Sequence, residues 1–121
     1  YGIKVNALAP AAATRMTTDL GIDEEALDLM KPEAVTAGLL TLCHKDSPNR
    51  LILCAGAGGY ASTQIYETEG IILPPDEQTP EAIMAQLGAV TDSAGQKVYQ
   101  SGAAQSEKFV KKALALRSAL A

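Results

Sequence analysis

Two stretches of the chain carry residue types that could do chemistry. The first is Gly56-Ala57-Gly58-Gly59-Tyr60-Ala61, which follows the apolar run Leu51-Ile52-Leu53-Cys54-Ala55 and fits G-x-G-x-x-G/A, with Asp76 twenty residues after Gly56. In that pattern glycines let the backbone approach a pyrophosphate, a helix N-terminus stabilises its charge, and an acid binds a ribose. The context speaks against it. Residues 61–69 allow barely two turns of helix, which is short for a crossover between parallel strands, before the short apolar run Ile71-Ile72-Leu73, itself halted by Pro74-Pro75. Asp76 follows Pro74-Pro75 instead of closing a strand. The glycine run therefore reads as a tight turn after a strand. The second stretch is residues 10–17, Pro-Ala-Ala-Ala-Thr-Arg-Met-Thr, where two hydroxyls sit in a segment with neither strand nor helix period.

Three further clusters read more plainly as structure. Cys43, His44 and Cys54 are metal-ligating and nucleophilic types, but neighbours on a helix point about 100° apart and no fourth ligand is evident. They read as buried cysteines and a helix-end histidine. Asp23-Glu24-Glu25 suits the positive end of a helix. Lys108, Lys111, Lys112 and Arg117 could meet phosphates or an acidic partner, and as residues of an amphipathic helix they read as its solvated face. No catalytic residue and no metal ligand is assigned.

The elements around these groups follow from spacing and caps. Ile3-Lys4-Val5-Asn6-Ala7-Leu8 alternates as a strand does, and Pro10 would stop it. Residues 11–18 read as a loop. A helix opens at Asp23–Glu25 and covers 26–30. Another starts at Lys31-Pro32-Glu33, with proline at the first helical position. It buries Val35, Leu39, Leu42 and Cys43, with Leu40 beside them, and ends near His44. Ser47-Pro48-Asn49 is a turn. Leu51–Ala55 reads as a strand covered on both faces. Residues 67–79 are mostly loop. Thr79-Pro80-Glu81 starts a helix striped by Ile83, Leu87 and Val90. The last helix, about 105–120, lines one face with Phe109, Ala113, Leu116 and Leu120, with Val110 and Leu114 alongside.

Composition narrows the class. The 121 residues suit one domain. Of 57 apolar residues 21 are alanine and only five are aromatic, so the core is thin. Residues 1–96 carry a net charge of −8 and residues 97–121 a net +4. A global basic footprint for nucleic acid is absent, and no apolar run approaches a membrane span. Two cysteines make no disulfide framework, so a reducing, cytoplasmic setting is the default.

Tyr-Gly-Ile-Lys-Val-Asn-Ala-Leu-Ala-Pro at 1–10 resembles the sixth strand of short-chain dehydrogenases/reductases. The continuation at 11–17 is similar to the (3R)-hydroxyacyl-CoA dehydrogenase branch of that family, found in multifunctional β-oxidation enzymes and bacterial relatives. Lys31-Pro32-Glu33-Ala34-Val35, Leu42-Cys43-His44, Gly56–Tyr60 and Ser101-Gly102-Ala103-Ala104-Gln105-Ser106 follow in the same order. The resemblance implies an α/β fold: the C-terminal part of a doubly wound (Rossmann-type) parallel sheet followed by a helical tail. Residues 1–60 would hold the last two strands, the substrate loop and the connecting helices. Residues 61–121 would be a C-terminal helical extension reaching towards a subunit neighbour. The resemblance further implies that Pro10, Ala11, Ala12 and Thr14 border NAD or NADP in a complete enzyme, and that Met16 and Thr17 belong to the substrate loop. The usual glycine after the proline is Ala11 here. The family's cofactor fingerprint, its serine and its Tyr-x-x-x-Lys pair would lie upstream of Tyr1.

Two functions follow as expectations. The chain is a C-terminal portion of an NAD(P)-dependent dehydrogenase of 3-hydroxyacyl-CoA-type substrates, inactive by itself and holding no cofactor tightly. Alternatively it is a truncated, stand-alone, non-catalytic protein with a binding or structural role. In either case exposed sheet edges predict self-association, as a dimer or larger. An acyl-CoA is a ligand only for a complete enzyme.

Overall fold

The computed structural model describes residues 1–17 and 19–121. The chain divides into two compact units, Tyr1–Gln64 and Ile65–Ala121. The boundary expected after residue 60 falls inside a strand, and the division comes after Gln64.

In the first unit, β1 (Ala7–Ala11) pairs in parallel with β2 (Ile52–Gly56), and β2 pairs antiparallel with β3 (Gly59–Thr63), giving the order β1-β2-β3. Between β1 and β2 come α1 (Glu24–Leu29) and α2 (Glu33–Cys43). The first strand lies later than its alternation suggested, and Pro10 sits within it, level with Ala55. The ladder explains why proline is tolerated. The amide of Ala7 donates to Leu51 O at 2.9 Å. Strand alternation then turns the amides of Ala9 and Ala11 towards β2 and the nitrogen of Pro10 away from it. Residues 4–6 are held differently. Val5 N donates to Asn49 Oδ1, Asn6 Nδ2 donates to Pro48 O, and Asn6 Oδ1 accepts from Leu51 N, each at 2.8–2.9 Å. Side-chain amides thus supplement a single backbone bond there, from Arg50 N to Val5 O at 2.8 Å.

Helix α2 begins one residue later than expected, with Pro32 as a helically folded cap residue. Its inner face also differs. Gly38 is buried, and Ala34, Val35 and Leu42 are half-buried, while Leu39, Leu40 and Cys43 are exposed. A β-carbon on Gly38 would lie 3.0 Å from Ala55 Cβ and 3.4 Å from Leu53 Cδ2 and Tyr60 Cε1. The missing side chain thus lets the helix backbone press onto the sheet, and Tyr60 OH donates to Ala34 O at 2.8 Å. Strand β2 is half-buried instead of covered on both faces, with Ala55 alone at 3% exposure.

The glycine run forms the β2–β3 hairpin. Ala57 and Gly58 both have positive φ, 49° and 78°, as a two-residue turn matched to strand twist requires. The tight turn is as expected; the returning strand is an addition.

The second unit opens with an extended segment in which Glu67 and Lys97 exchange backbone hydrogen bonds. A short 3-10 turn, Pro75–Glu77, follows. Then comes α3 (Pro80–Ala85), capped by Thr79 Oγ1 accepting from Ala82 N at 3.2 Å. The expected single helix breaks at Gln86, and α4 is Leu87–Val90. Gln86 closes α3 and opens α4 with a φ of −112° and a ψ of 17°, outside the helical range. Ile83 and Leu87 stay exposed instead of forming a buried stripe.

Helix α5 (Gly102–Leu120) starts earlier than expected, with Ser101 Oγ accepting from Ala104 N at 3.3 Å. Its half-buried positions are Ala104, Lys108, Lys112 and Leu116, one every four residues. Phe109 and Leu120, assigned to the apolar face, are exposed. The lysines turn inward because acids await them. Lys108 Nζ pairs with Glu67 and donates to Thr68 O at 3.0 Å. Lys112 Nζ pairs with Glu69 at 3.0 Å and donates to its carbonyl. Nearer its C-terminus, α5 and the residues 72–75 border an apolar groove of about 340 Å³, with Arg117 in its lining. Among the described residues no helix is long and apolar enough to cross a membrane.

Candidate functional site

The residues singled out at 10–17 come together at the carboxyl end of β1. Strand β1 delivers Pro10 and Ala11, both exposed, to its last rung, where Ala11 stands level with Gly56. Ala12 and Ala13 are half-buried, and Ala13 N donates to Met30 O at 2.6 Å, which ties the loop to the end of α1. Thr14 and Thr17 then close a turn on each other. Thr17 Oγ1 accepts from Thr14 N at 2.8 Å and donates to Thr14 O at 2.8 Å, while Thr14 Oγ1 accepts from Met16 N at 3.3 Å. Such hydroxyl-to-backbone bonds are the usual way threonine shapes a turn. Met16 projects outward at 89% exposure. The loop therefore presents an apolar side chain and hydroxyl-supported backbone beyond the end of a parallel strand. Thr18, placed in the same loop, lies outside the described residues.

Gly56 is the neighbour that the sequence reading of this loop missed. A β-carbon there would lie 2.5 Å from Ala11 O and 2.8 Å from Ala11 Cβ. Its importance is room for Ala11. As a phosphate cradle the run fails, because the chain continues into β3 and no helix begins at it. Asp76 belongs to the other unit, in the 3-10 turn.

The remaining clusters offer no centre. Cys43 is exposed and Cys54 half-buried, against the expectation that both are buried. The thiol of Cys54 lies 3.0 Å from Thr63 Oγ1 across the hairpin. His44 Nδ1 accepts from the amide of Asp46 at 3.2 Å. Among the described residues no group of three histidine, cysteine or acidic side chains could hold a metal ion. Of the four basic residues on α5, Lys108 and Lys112 are engaged with Glu67 and Glu69, and Lys111 and Arg117 are exposed. The Lys108 side chain is 9% exposed and its ammonium lies 4.4 Å from the Phe109 ring centre and 5.3 Å from that of Tyr99. Hydrogen bonding from Lys108 holds the Glu67 carboxyl below its ordinary pKa, and Lys112 followed by Lys97 does the same for Glu69.

A parallel strand pair joined through helices, with a shaped loop beyond the carboxyl end of its first strand, defines a piece of an α/β fold. Comparison with known proteins specifies which kind. The chain is 37% identical over 95 residues to a peroxisomal hydratase-dehydrogenase-epimerase of Neurospora crassa, covering 76% of this chain and 10% of that protein. It is 33% identical over 101 residues to a putative short-chain type dehydrogenase/reductase of Mycobacterium tuberculosis, covering 81% of this chain and 34% of that protein. The full-length peroxisomal multifunctional enzyme type 2 of Drosophila melanogaster superposes with a TM-score of 0.73 at 23% identity, over 94% of this chain and 21% of that one. No family model matches. The resemblance to short-chain dehydrogenases/reductases is thus borne out by curated relatives, and the mixed α/β architecture with a helical C-terminus by a solved structure. The chain spans about a tenth to a third of the length of these two curated relatives.

Proposed function

We propose that this chain is the C-terminal part of a doubly wound, NAD- or NADP-dependent short-chain dehydrogenase acting on 3-hydroxyacyl-CoA-type substrates. The supporting observation is the loop at residues 12–17. It leaves the carboxyl end of a parallel strand, where such folds bind ligands, and it is held in shape by Thr14, Thr17 and Met30. In the complete enzyme Pro10, Ala11, Ala12 and Thr14 border the nicotinamide, and Met16 and Thr17 face the acyl-CoA. The cofactor supplies hydride acceptance. This chain's share is to position and to exclude water, because the tyrosine base and its lysine belong to the other half of the fold. The polypeptide alone then binds no cofactor tightly. It self-associates through the outer edges of β1 and β3, and it works in a cytoplasmic setting.

The test is an assay of reduced-cofactor absorbance with NAD and a 3-hydroxyacyl-CoA. The 121-residue chain alone gives no turnover. The same sequence extended upstream by an in-frame cofactor fingerprint and Tyr-x-x-x-Lys does. Turnover by the short chain, or none by the extended one, overturns the reading. A monomer by light scattering at micromolar concentration counts against self-association.

A further inference from the structure

We propose that Gly56 is a positioning residue for the loop at 12–17. The inference takes its purpose from the proposed dehydrogenase reading, while its geometry stands apart from that reading. Neighbouring strands ordinarily lie about 4.8 Å apart, which leaves room for a β-carbon on each. At the last rung of the β1–β2 ladder that room is gone. A β-carbon on Gly56 would lie 2.5 Å from Ala11 O, 2.8 Å from Ala11 Cβ and 3.2 Å from Ala11 C. Two of these three contacts are with backbone, so no rotamer change relieves them. The glycine is not there for its dihedral angles: the positive-φ positions of the hairpin are Ala57 and Gly58. It is there because Ala11 crosses close over the end of β2 as β1 hands the chain to the loop.

The path of the loop is fixed at three places. Gly56 sets where it leaves the sheet, Met30 O holds Ala13 N at 2.6 Å, and Thr14 and Thr17 close the turn. A methyl group at position 56 displaces the first of these. Ala12 and Ala13 must then move, and the bond to Met30 is the nearest one to break. The end of β2 therefore governs the position of the residues proposed to border the nicotinamide, although Gly56 itself touches no ligand.

The experiment is amide hydrogen exchange on the 121-residue chain, comparing Gly56→Ala with Gly58→Ala. Gly58→Ala strains the same hairpin through its φ of 78°, and a β-carbon there meets nothing within 4 Å. It serves as the control for general weakening of the unit. Gly56→Ala is expected to speed exchange of the Ala13 amide by about tenfold or more while changing Leu53 and Cys54 by less than about threefold. Gly58→Ala is expected to act mainly on residues 59–63. Equal acceleration across the unit in both variants, or an unchanged Ala13 in Gly56→Ala, overturns the proposal. The measurement needs no cofactor, so a chain without dehydrogenase activity in its extended form would sink the functional reading and leave this result to be judged separately.

Discussion

Helix α2 reaches its sheet across a glycine, and helix α5 reaches its extended segment across two lysines. In the unit Tyr1–Gln64 the space between Gly38 and Ala55 is too small for another carbon without adjustment. In the unit Ile65–Ala121 the corresponding space is filled by long side chains whose ammonium groups end on Glu67, Glu69 and the carbonyls of Thr68 and Glu69. Close packing of small residues gains dispersion contacts and tolerates little added volume. Ion pairing through lysine covers apolar surface with the stem and depends on the state of the acid at its tip. The two units should therefore fail under different insults, one steric and the other electrostatic.

The largest effect is expected from adding volume under α2. Gly38→Leu gains about 1 kcal/mol in helix propensity. It also places three further carbons beyond a β-carbon already 3.0 Å from Ala55 Cβ. Overpacking of this kind costs about 1–3 kcal/mol and occasionally more. We expect a net loss near 2 kcal/mol from the upper part of that range. It should be read as earlier chemical unfolding of the amides in β2 and α2, with those of α5 unmoved. A chain as stable as the parent would mean that α2 does not press on β2 as closely as described.

The second unit should respond to acid and to loss of a lysine. Lys108 and Lys112 hold the carboxyls of Glu67 and Glu69 below their ordinary pKa. The folded unit therefore binds fewer protons than the unfolded one around those values. The stabilisation is fully present above the ordinary glutamate value of 4.5 and is lost as the pH falls through the lowered folded values. Thermal unfolding followed at α5 amides should show a midpoint that falls below that pH, with the midpoint for β2 falling less. Lys108→Met should lower the α5 midpoint at neutral pH, because among the described residues it leaves the Glu67 carboxyl with Gln105 as its side-chain hydrogen-bond donor and with the like charge of Glu69 nearby. Adding Glu67→Gln should recover part of that loss. If the double variant is worse than Lys108→Met alone, the acid is not what makes the inward lysine favourable.

The pattern of what could be read from residues follows the same division. Caps and apolar runs announced α2, β2, α3 and α5, because those signals are local. Thr79 caps as its type and position suggest, and Pro10 misled because proline is excluded only from the hydrogen-bonded side of a strand. Hairpin partner β3 was hidden by its sequence: Tyr60-Ala61-Ser62-Thr63 is exposed throughout and carries no buried alternation. Lys108 and Lys112 were assigned to solvent by counting apolar positions alone. The missed signal was a match of spacing. Two residues along an extended chain advance about 6.6 Å, and four along a helix about 6 Å, so Glu67-x-Glu69 can meet Lys108 and Lys112 in register. The loop at 11–18 was legible from its lack of period and caps, whereas the ligand contacts proposed for it came only by resemblance. Its link to Gly56 was not legible, because a parallel pairing between residues 45 apart leaves no local trace.

The smallest prediction concerns the hairpin that shapes the open side of the first unit. Ala57 holds a φ of 49° beside Gly58 at 78°. An L-residue in that region costs about 1–2 kcal/mol relative to glycine. Glycine returns part of this through the greater freedom of the unfolded chain, about 0.4–1 kcal/mol. Ala57→Gly should therefore stabilise the first unit by between about 0 and 1.6 kcal/mol. Amides of residues 59–63 should exchange more slowly, and those of α5 should be unchanged. The substitution removes a methyl group that is exposed in the turn, so a gain can come only from the backbone. A loss would show that the steric limits governing Gly38 do not extend to the turn. The unit would then owe its hairpin to the β2–β3 ladder, with Ala57 contributing nothing by its strain.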